Sequence, residues 1–330
     1  MALIGAGLMG GRHAENVAKL DEARLVAVCD PDADRAERLA RDLDAVRVPS
    51  VDELVGSDDV RAVIVASPAP LHEDHAIAAA RAGKDVFLEK PMATSLAGAD
   101  RVIAAARAAS VRLQIGFQRR FDPAYADARR RIRAGDLGRP LFYRGVNRDR
   151  DAPVGAPGSM DPNDILTESA IHDLDGACWM LDDDVVGVSA SLATIGPAAR
   201  SPGPDVALVE LRFARGAVAE IETLRGATYA YDIRSEIVCE QGAIIVGGFA
   251  QTMLTVMRGG DRRDDLYPGF LERYEKAYAA ELRDFVGGIR ERRPVAVSGE
   301  DGRRALGLAL AAGRAAASRV EVVPDVGSRV

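Results

Sequence analysis

An apolar run over residues 2–5 leads into Gly5-Ala6-Gly7-Leu8-Met9-Gly10, and a helix-periodic stretch over 10–19 follows. This placement constrains the chain more than any other feature. A G-x-G-x-x-G turn is common on its own. Between a strand and a helix it opens a dinucleotide-binding βαβ unit. Gly5 permits the tight turn, Gly7 lets backbone approach a pyrophosphate, and Gly10 lets helix and strand pack closely. The N–H groups that open the helix, around Leu8 and Met9, then hold the anion. Only residues 1–4 precede the motif, so the first strand is short and a start a few residues upstream is expected. No positive charge precedes the apolar start and no cleavage pattern closes it, so it does not read as a signal peptide.

The next apolar run, residues 25–29, is closed by Asp30, 20 residues beyond Gly10. An acid at about that distance takes the ribose hydroxyls in such units. Its charge repels a 2′-phosphate, so NAD is expected in preference to NADP, with Arg35 near enough to soften the preference. Asp30 would otherwise simply start the turn Asp30-Pro31-Asp32. The glycines, their context and Asp30 together favour dinucleotide binding.

With 330 residues, two domains are expected. Hydrophobic residues make up 48%, which excludes wholesale disorder. A net charge of −7 argues against a nucleic-acid partner. No run approaches the roughly 18 apolar residues of a membrane span. Cys29, Cys178 and Cys239 are odd in number and far apart, so neither a disulfide framework nor a metal spacing follows, as suits a reducing cytoplasm.

Apolar strands over 60–66, 85–88 and 112–116 alternate with helices over 32–43, 72–82 and 96–109. That rhythm means a parallel sheet covered on both faces, an α/β Rossmann domain over 1–118. Beyond it the rhythm changes. A helix over 125–134 and a strand over 141–147 precede a Pro/Gly/Asp-rich loop over 153–163 and a helix over 164–181. Alternating runs over 185–194, 205–213, 217–224, 234–239 and 243–246 then suggest an antiparallel meander. Helices return over 271–288 and 302–317. The second domain, 119–330, is therefore expected to be α+β with a large, mainly antiparallel open sheet, its last helix able to pack back on the first domain.

Two features carry candidate chemistry. Glu89-Lys90-Pro91 follows the strand over 85–88, at a carboxyl end of the parallel sheet where ligands bind. Lysine is scarce, only Lys19, Lys84, Lys90 and Lys276, although base composition explains that as well. Glu168 and His172 lie four apart on an expected helix, which puts them on one face where a carboxylate can tune an imidazole base. On spacing alone a helix-surface pair is equally good. His72 and His75 lack a further ligand set, so no metal is expected, and no elbow or triad order points to a hydrolase.

These residues, in this order, resemble the Gfo/Idh/MocA oxidoreductases over nearly the whole chain. The resemblance rests on the glycine turn, on Ser67-Pro68 through His72, and on Gly83 through Glu89-Lys90-Pro91. It continues in Gly116-Phe117-Gln118-Arg119-Arg120-Phe121-Asp122 and Glu168-Ser169-Ala170-Ile171-His172-Asp173-Leu174-Asp175. Tyr229-Ala230-Tyr231-Asp232 is similar to the inositol-oxidising branch, where it lines the substrate pocket. The resemblance implies an NAD(P)-dependent enzyme oxidising a secondary alcohol of a sugar or cyclitol. It implies a Rossmann domain, a second domain whose open sheet forms homodimers or homotetramers, and catalytic roles for Lys90 and His172. Ser67, Pro68, His72, Glu89, Lys90 and Gln118 would serve the cofactor. Glu168 stands at the family's aspartate position, one methylene longer, which loosens the expectation of plain myo-inositol.

In this reading Lys90, Glu168 and His172 meet the substrate, with Arg119, Asn147, Asp149, Tyr229 and Tyr231 as candidates for the hydrogen-bonding shell that a polyol needs. The acidic loop from Asp149 to Asp164 would suit a cationic substrate, which leaves as an alternative a dehydrogenase of an aminoglycoside or ketosugar intermediate in secondary metabolism. An NAD-sensing protein without catalysis, or a hydro-lyase or glycosidase using bound NAD for transient oxidation, are the other readings.

Overall fold

A computed structural model of the chain describes residues 1–150, 163–195, 203–258 and 261–327. Most of the loop expected over 153–163 therefore lies outside the described residues. The chain forms two compact units. The first takes Met1–Phe121, Lys276–Leu306 and Gly327, the second Asp122–Glu275 and Gly307–Val326. The chain first crosses over three residues beyond the expected boundary at 118. The contiguous span 119–330 needs correction, because Lys276–Leu306 returns to the first unit.

The first unit is a six-stranded parallel sheet in the order β3-β2-β1-β4-β5-β6. Its strands are β1 (Ala2–Ile4), β2 (Ala27–Cys29), β3 (Val46–Arg47), β4 (Ala62–Val65), β5 (Asp85–Leu88) and β6 (Leu113–Ile115). The crossover helices are α1 (Leu8–Ala18), α2 (Ala33–Asp42), α3 (Val51–Gly56), α4 (His72–Arg81) and α5 (Leu96–Ala109). The strands β1, β2 and β4 are buried throughout, as continuous apolar runs require. Strand order reverses between β1 and β4, and open sheets of this kind bind ligands at that switch point. The sequence reading missed β3 and α3, which are short and lack a clear apolar period.

Leu282, Phe285 and Val286 of α9 (Glu275–Glu291) join Leu3, Val28, Ile64 and Phe87 in one core cluster. The helix α10 (Gly299–Ser318) belongs to the first unit as far as Leu306. There Gly299 and Gly302 let it approach Leu113, Ile103, Ile115 and Met92 closely. The return expected of the last helix is thus made by α9 and by the first part of α10.

The second unit holds a six-stranded sheet in the order β12-β11-β7-β10-β9-β8. These are β7 (Pro140–Asp149), β8 (Val185–Ala193), β9 (Val206–Phe213), β10 (Val218–Arg225), β11 (Asp232–Cys239) and β12 (Gly242–Gly248). It is mainly antiparallel, as expected, with one difference. The strand β7 enters the middle, between β11 and β10, and runs parallel to β10. A meander places sequence neighbours side by side. Here β7 is separated from β10 by a helix and two strands, enough chain for a parallel crossover.

Odd-numbered residues of β9, β10 and β11, and Tyr143, Gly145 and Asn147 of β7, are buried, on the face that α6 (Pro123–Ala134) and α7 (Ile171–Leu181) cover. Even-numbered residues such as Leu208 and Glu210 point to the open face, as does Ile245 of β12. A hairpin of β13 (Ala250–Arg258) and β14 (Asp261–Leu266), absent from the sequence reading, and the short α8 (Phe270–Arg273) complete the unit.

Candidate active site

Of the first unit's helices, α2, α3 and α5 start with side-chain caps from Asp32, Ser50 and Ser95. The helix α1 has none: Gly7 is its cap, and its first turn holds no acid. Its opening N–H groups and the positive end of its dipole thus remain open to an anion. Gly5 has φ +93°, and a Cβ there would lie 2.6 Å from the Ala66 carbonyl oxygen and the Ser67 nitrogen. A Cβ on Gly10 would strike the Gly5 oxygen, whereas a Cβ on Gly7 would meet nothing. The turn is closed against β4 on one side and open at Gly7, which fits a pyrophosphate. The side chain of Leu8 is exposed.

Asp30 is buried at the end of β2. It accepts bonds from the Ala6 N–H (2.6 Å), the Asp32 N–H (2.8 Å) and Arg35 Nη2 (2.8 Å). Burial alone would raise its pKa. The bonds from Arg35, Ala6 and Asp32 outweigh that and hold the carboxyl below the usual range. Asp30 therefore carries its charge beside the glycine turn, with Arg35 already engaged.

Lys90 follows β5 and is fixed from behind. Its N–H donates to Glu89 Oε2 at 3.1 Å, and Glu89 Oε1 lies 2.6 Å from His13 Nε2. Burial pushes the Glu89 carboxyl up, but the bond and charge of His13 and the charge of Lys90 bring it below its ordinary value. His72 is buried, with Nδ1 and Nε2 each 2.7 Å from a backbone oxygen, of Pro91 and Ser67 respectively. It ties the Ser67-Pro68 turn after β4 to the Glu89-Lys90-Pro91 turn after β5. His75 Nδ1 lies 2.9 Å from Ser67 Oγ. Gln118 and Arg119 are buried in a 3₁₀ turn, Gln118–Phe121, that ends this part of the first unit.

Glu281, on α9, was not foreseen. It is fully buried, and neither carboxylate oxygen has a hydrogen-bond partner among the described residues. Burial, reinforced by the charge of Glu89, raises its pKa well above the ordinary carboxylate value. Nothing in the sequence marks it, since its position on a helix of mixed composition suits a surface acid.

In the second unit the helix expected over 164–181 opens as a π-helical turn, Ile165–Ala170, before α7 begins. Glu168 lies in that turn and His172 in the first turn of α7. Their spacing of four therefore spans a change of helix type rather than one α-helical face. Asn147 of β7 donates from Nδ2 to the Ser169 oxygen at 2.9 Å. Arg225, at the end of β10, donates from Nε to Ser169 Oγ (3.3 Å) and from Nη2 to the Asp164 oxygen (2.9 Å). Burial lowers the Arg225 pKa, opposed by the charges of Glu168, Asp164 and Asp149.

Next to His172, Asp173 accepts from the Tyr143 hydroxyl at 3.3 Å. Tyr143 and Tyr125 each lie 2.9 Å from Ser235 Oγ. This buried chain fixes the start of α7 against β7, β11 and α6. Tyr231 is buried. Tyr229 is 49% exposed, and its hydroxyl donates to Asp232 (2.5 Å) while accepting from Arg148 (3.1 Å). Arg148 points to the open face of the sheet and Asn147 to the covered one. The structure thus groups Asn147, Asp149, Glu168 and Arg225, and ties the Tyr229 hydroxyl to the other side. No cluster of three or more metal-ligating side chains occurs among the described residues.

Comparison with known proteins shows the family. Residues 1–117 match the Gfo/Idh/MocA oxidoreductase family, NAD-binding Rossmann fold, and residues 125–245 match the C-terminal domain of that family. The scyllo-inositol 2-dehydrogenase (NAD(+)) of Bacillus subtilis is 34% identical, over 98% of this chain and 96% of its own. The myo-inositol 2-dehydrogenase of Thermotoga maritima is 35% identical, over 94% of each chain. The crystal structure of myo-inositol dehydrogenase from Lactobacillus casei in complex with NAD(H) and myo-inositol superposes with a TM-score of 0.91 at 27% identity. It covers 100% of this chain and 97% of that one. With its glycine turn, its Asp30 and this relationship along nearly its whole length, the chain is an NAD-dependent oxidoreductase of the Gfo/Idh/MocA family.

Proposed function

We propose that the protein oxidises a secondary alcohol of a cyclitol, an inositol first of all, and reduces the ketone in the reverse direction. The observation that carries this is Lys90, held at the carboxyl end of β5 by the Glu89–His13 pair, on the sheet edge that also bears the glycine turn. The likeness to inositol 2-dehydrogenases along nearly the full length supplies the substrate class.

When bound, NAD supplies the acceptor for the hydride that leaves the carbinol carbon. His172 takes the hydroxyl proton as general base. Lys90 donates a hydrogen bond to the same oxygen and stabilises its charge as it becomes a carbonyl. Glu168 orients the imidazole or holds a neighbouring hydroxyl. Arg119, Asn147, Asp149, Tyr229 and Tyr231 are assigned to the remaining hydroxyls. Ser67, Pro68, His72, Glu89 and Gln118 shape the cofactor side, His72 and Glu89 by holding the turns from within. The open face of the second sheet, with Leu208 and Ile245 exposed on it, is the surface we assign to pairing of copies as a homodimer or homotetramer. No helix among the described residues is long and apolar enough to cross a membrane, and a cytoplasmic place is consistent with the three free cysteines.

The test is NADH formation from NAD with myo-, scyllo- and chiro-inositol, glucose and a set of aminated cyclitols, with Lys90→Ala alongside. Turnover on one inositol, abolished in the variant while NADH still binds, is the expected result. Activity confined to aminated substrates would move the protein to aminocyclitol metabolism. Equal turnover in Lys90→Ala would end the mechanism.

A further inference from the structure

We propose that Arg225 is a positioning residue for this reaction, holding the π-helical turn that carries Glu168 and thereby setting where that carboxylate stands. The inference rests on the reading of Glu168 and His172 just given.

Arg225 is the last residue of β10, opposite Asp149 of β7, and its N–H donates to the Asp205 oxygen at 2.8 Å. The start of its side chain is therefore fixed by the sheet. The side chain is buried on the face that α7 covers. Its guanidinium bonds the Asp164 carbonyl at one end of the turn and the Ser169 hydroxyl at the other. Those two anchors are five residues apart. At the 3.6 residues per turn of an α-helix, residues five apart point to different sides. In an i→i+5 turn they come to one side, where a single planar fork can reach both. Asn147, from the strand beside β10, holds the Ser169 carbonyl as well. The turn is thus gripped from two neighbouring strands, and Glu168 is the residue before the gripped serine. Glu168, Asp164 and Asp149 all act electrostatically on Arg225, so the guanidinium also balances their charge.

A lysine would keep the charge and lose the fork, which separates the two contributions. The experiment compares wild type, Arg225→Lys and Arg225→Met by amide hydrogen exchange of peptides covering 163–172, by NADH affinity, and by kcat and KM for the inositol that is turned over. Exchange in 163–172 is expected to be at least tenfold faster in Arg225→Met and intermediate in Arg225→Lys, with NADH Kd within twofold of wild type. The value of kcat/KM is expected to fall at least tenfold. Adding Glu168→Gln to Arg225→Met should cost much less than Glu168→Gln costs alone, a coupling that a merely structural role would not produce. If Arg225→Met does not fold, Arg225→Lys carries the same measurements. Unchanged exchange in a folded variant, or additive losses in the double variant, overturns the proposal. If the wild type oxidises no polyol, the functional reading falls, and the exchange result alone upholds or overturns the grip on the turn.

Discussion

His13 Nε2 and Glu89 Oε1 lie 2.6 Å apart inside the first unit, and the pair links α1, which opens at the glycine turn, to the strand end that carries Lys90. Both partners are buried. Removing His13 breaks this buried pair and leaves Glu89 to the Lys90 N–H and the Lys90 charge, and breaking a buried pair typically costs about 3–5 kcal/mol. His13→Ala should therefore lose stability on that scale in urea unfolding, and the folded fraction should turn over poorly because Lys90 has lost its support. A loss below about 1 kcal/mol would mean that Glu89 finds another partner.

Glu281 gives a pH prediction with a definite sign. Its pKa is raised in the folded protein, so it stays protonated there while the unfolded chain ionises near the ordinary value. Stability is then progressively lost as pH rises above the ordinary carboxylate range, with a slope of at most about 1.4 kcal/mol per pH unit. Glu281→Gln, an isostere of the neutral acid, should match wild type below the ordinary carboxylate range and exceed it increasingly as pH rises above that range. Parallel stability curves for the two proteins would refute this.

The glycine turn predicts opposite outcomes for two of its members. Gly10→Ala forces a Cβ into the Gly5 carbonyl and should cost about 3 kcal/mol of stability. Gly7→Ala meets nothing and has an ordinary φ of −70°, so the fold should survive. Its methyl then occupies the open side of the cradle, and NADH affinity should fall roughly tenfold or more, a loss of about 1.4 kcal/mol. Thermal unfolding and NADH fluorescence titration separate the two effects.

Asp30→Asn keeps one acceptor oxygen, enough for the Ala6 or the Asp32 N–H but not for both, and removes the charge. NADH should bind roughly tenfold more weakly, the scale of a lost charge-assisted bond. The penalty against NADPH should shrink, because Arg35 is released from its 2.8 Å ion pair and no carboxylate repels the 2′-phosphate. An unchanged ratio of NADH to NADPH affinity would show that Asp30 does not select the cofactor.

Much of the first unit was legible from local pattern. The order of apolar runs, the glycine turn, Asp30 and the strand-end position of Lys90 are each set within a few residues, because glycine conformations and helix or strand periods are short-range properties. The placement of Glu168 near His172 was legible as a spacing, and so was the mainly antiparallel second sheet. Pairing was not. The insertion of β7 beside β10 joins residues some 75 apart, as Ala219 facing Tyr143 illustrates. Only the packed sheet selects that register. The same holds for α9, whose Leu282 and Phe285 read as one more amphipathic pattern until they enter the first unit's core. Arg225 lies 56 residues from Ser169 and Glu281 167 residues from Gln114, whose Nε2 bonds its carbonyl. The sequence by itself determined the glycine turn in its strand–helix context and named the side chains that are candidates for chemistry. The tertiary structure decided which of them are charged, gripped or buried, because burial, ion pairing and the width of a helical turn depend on neighbours that only folding brings within reach.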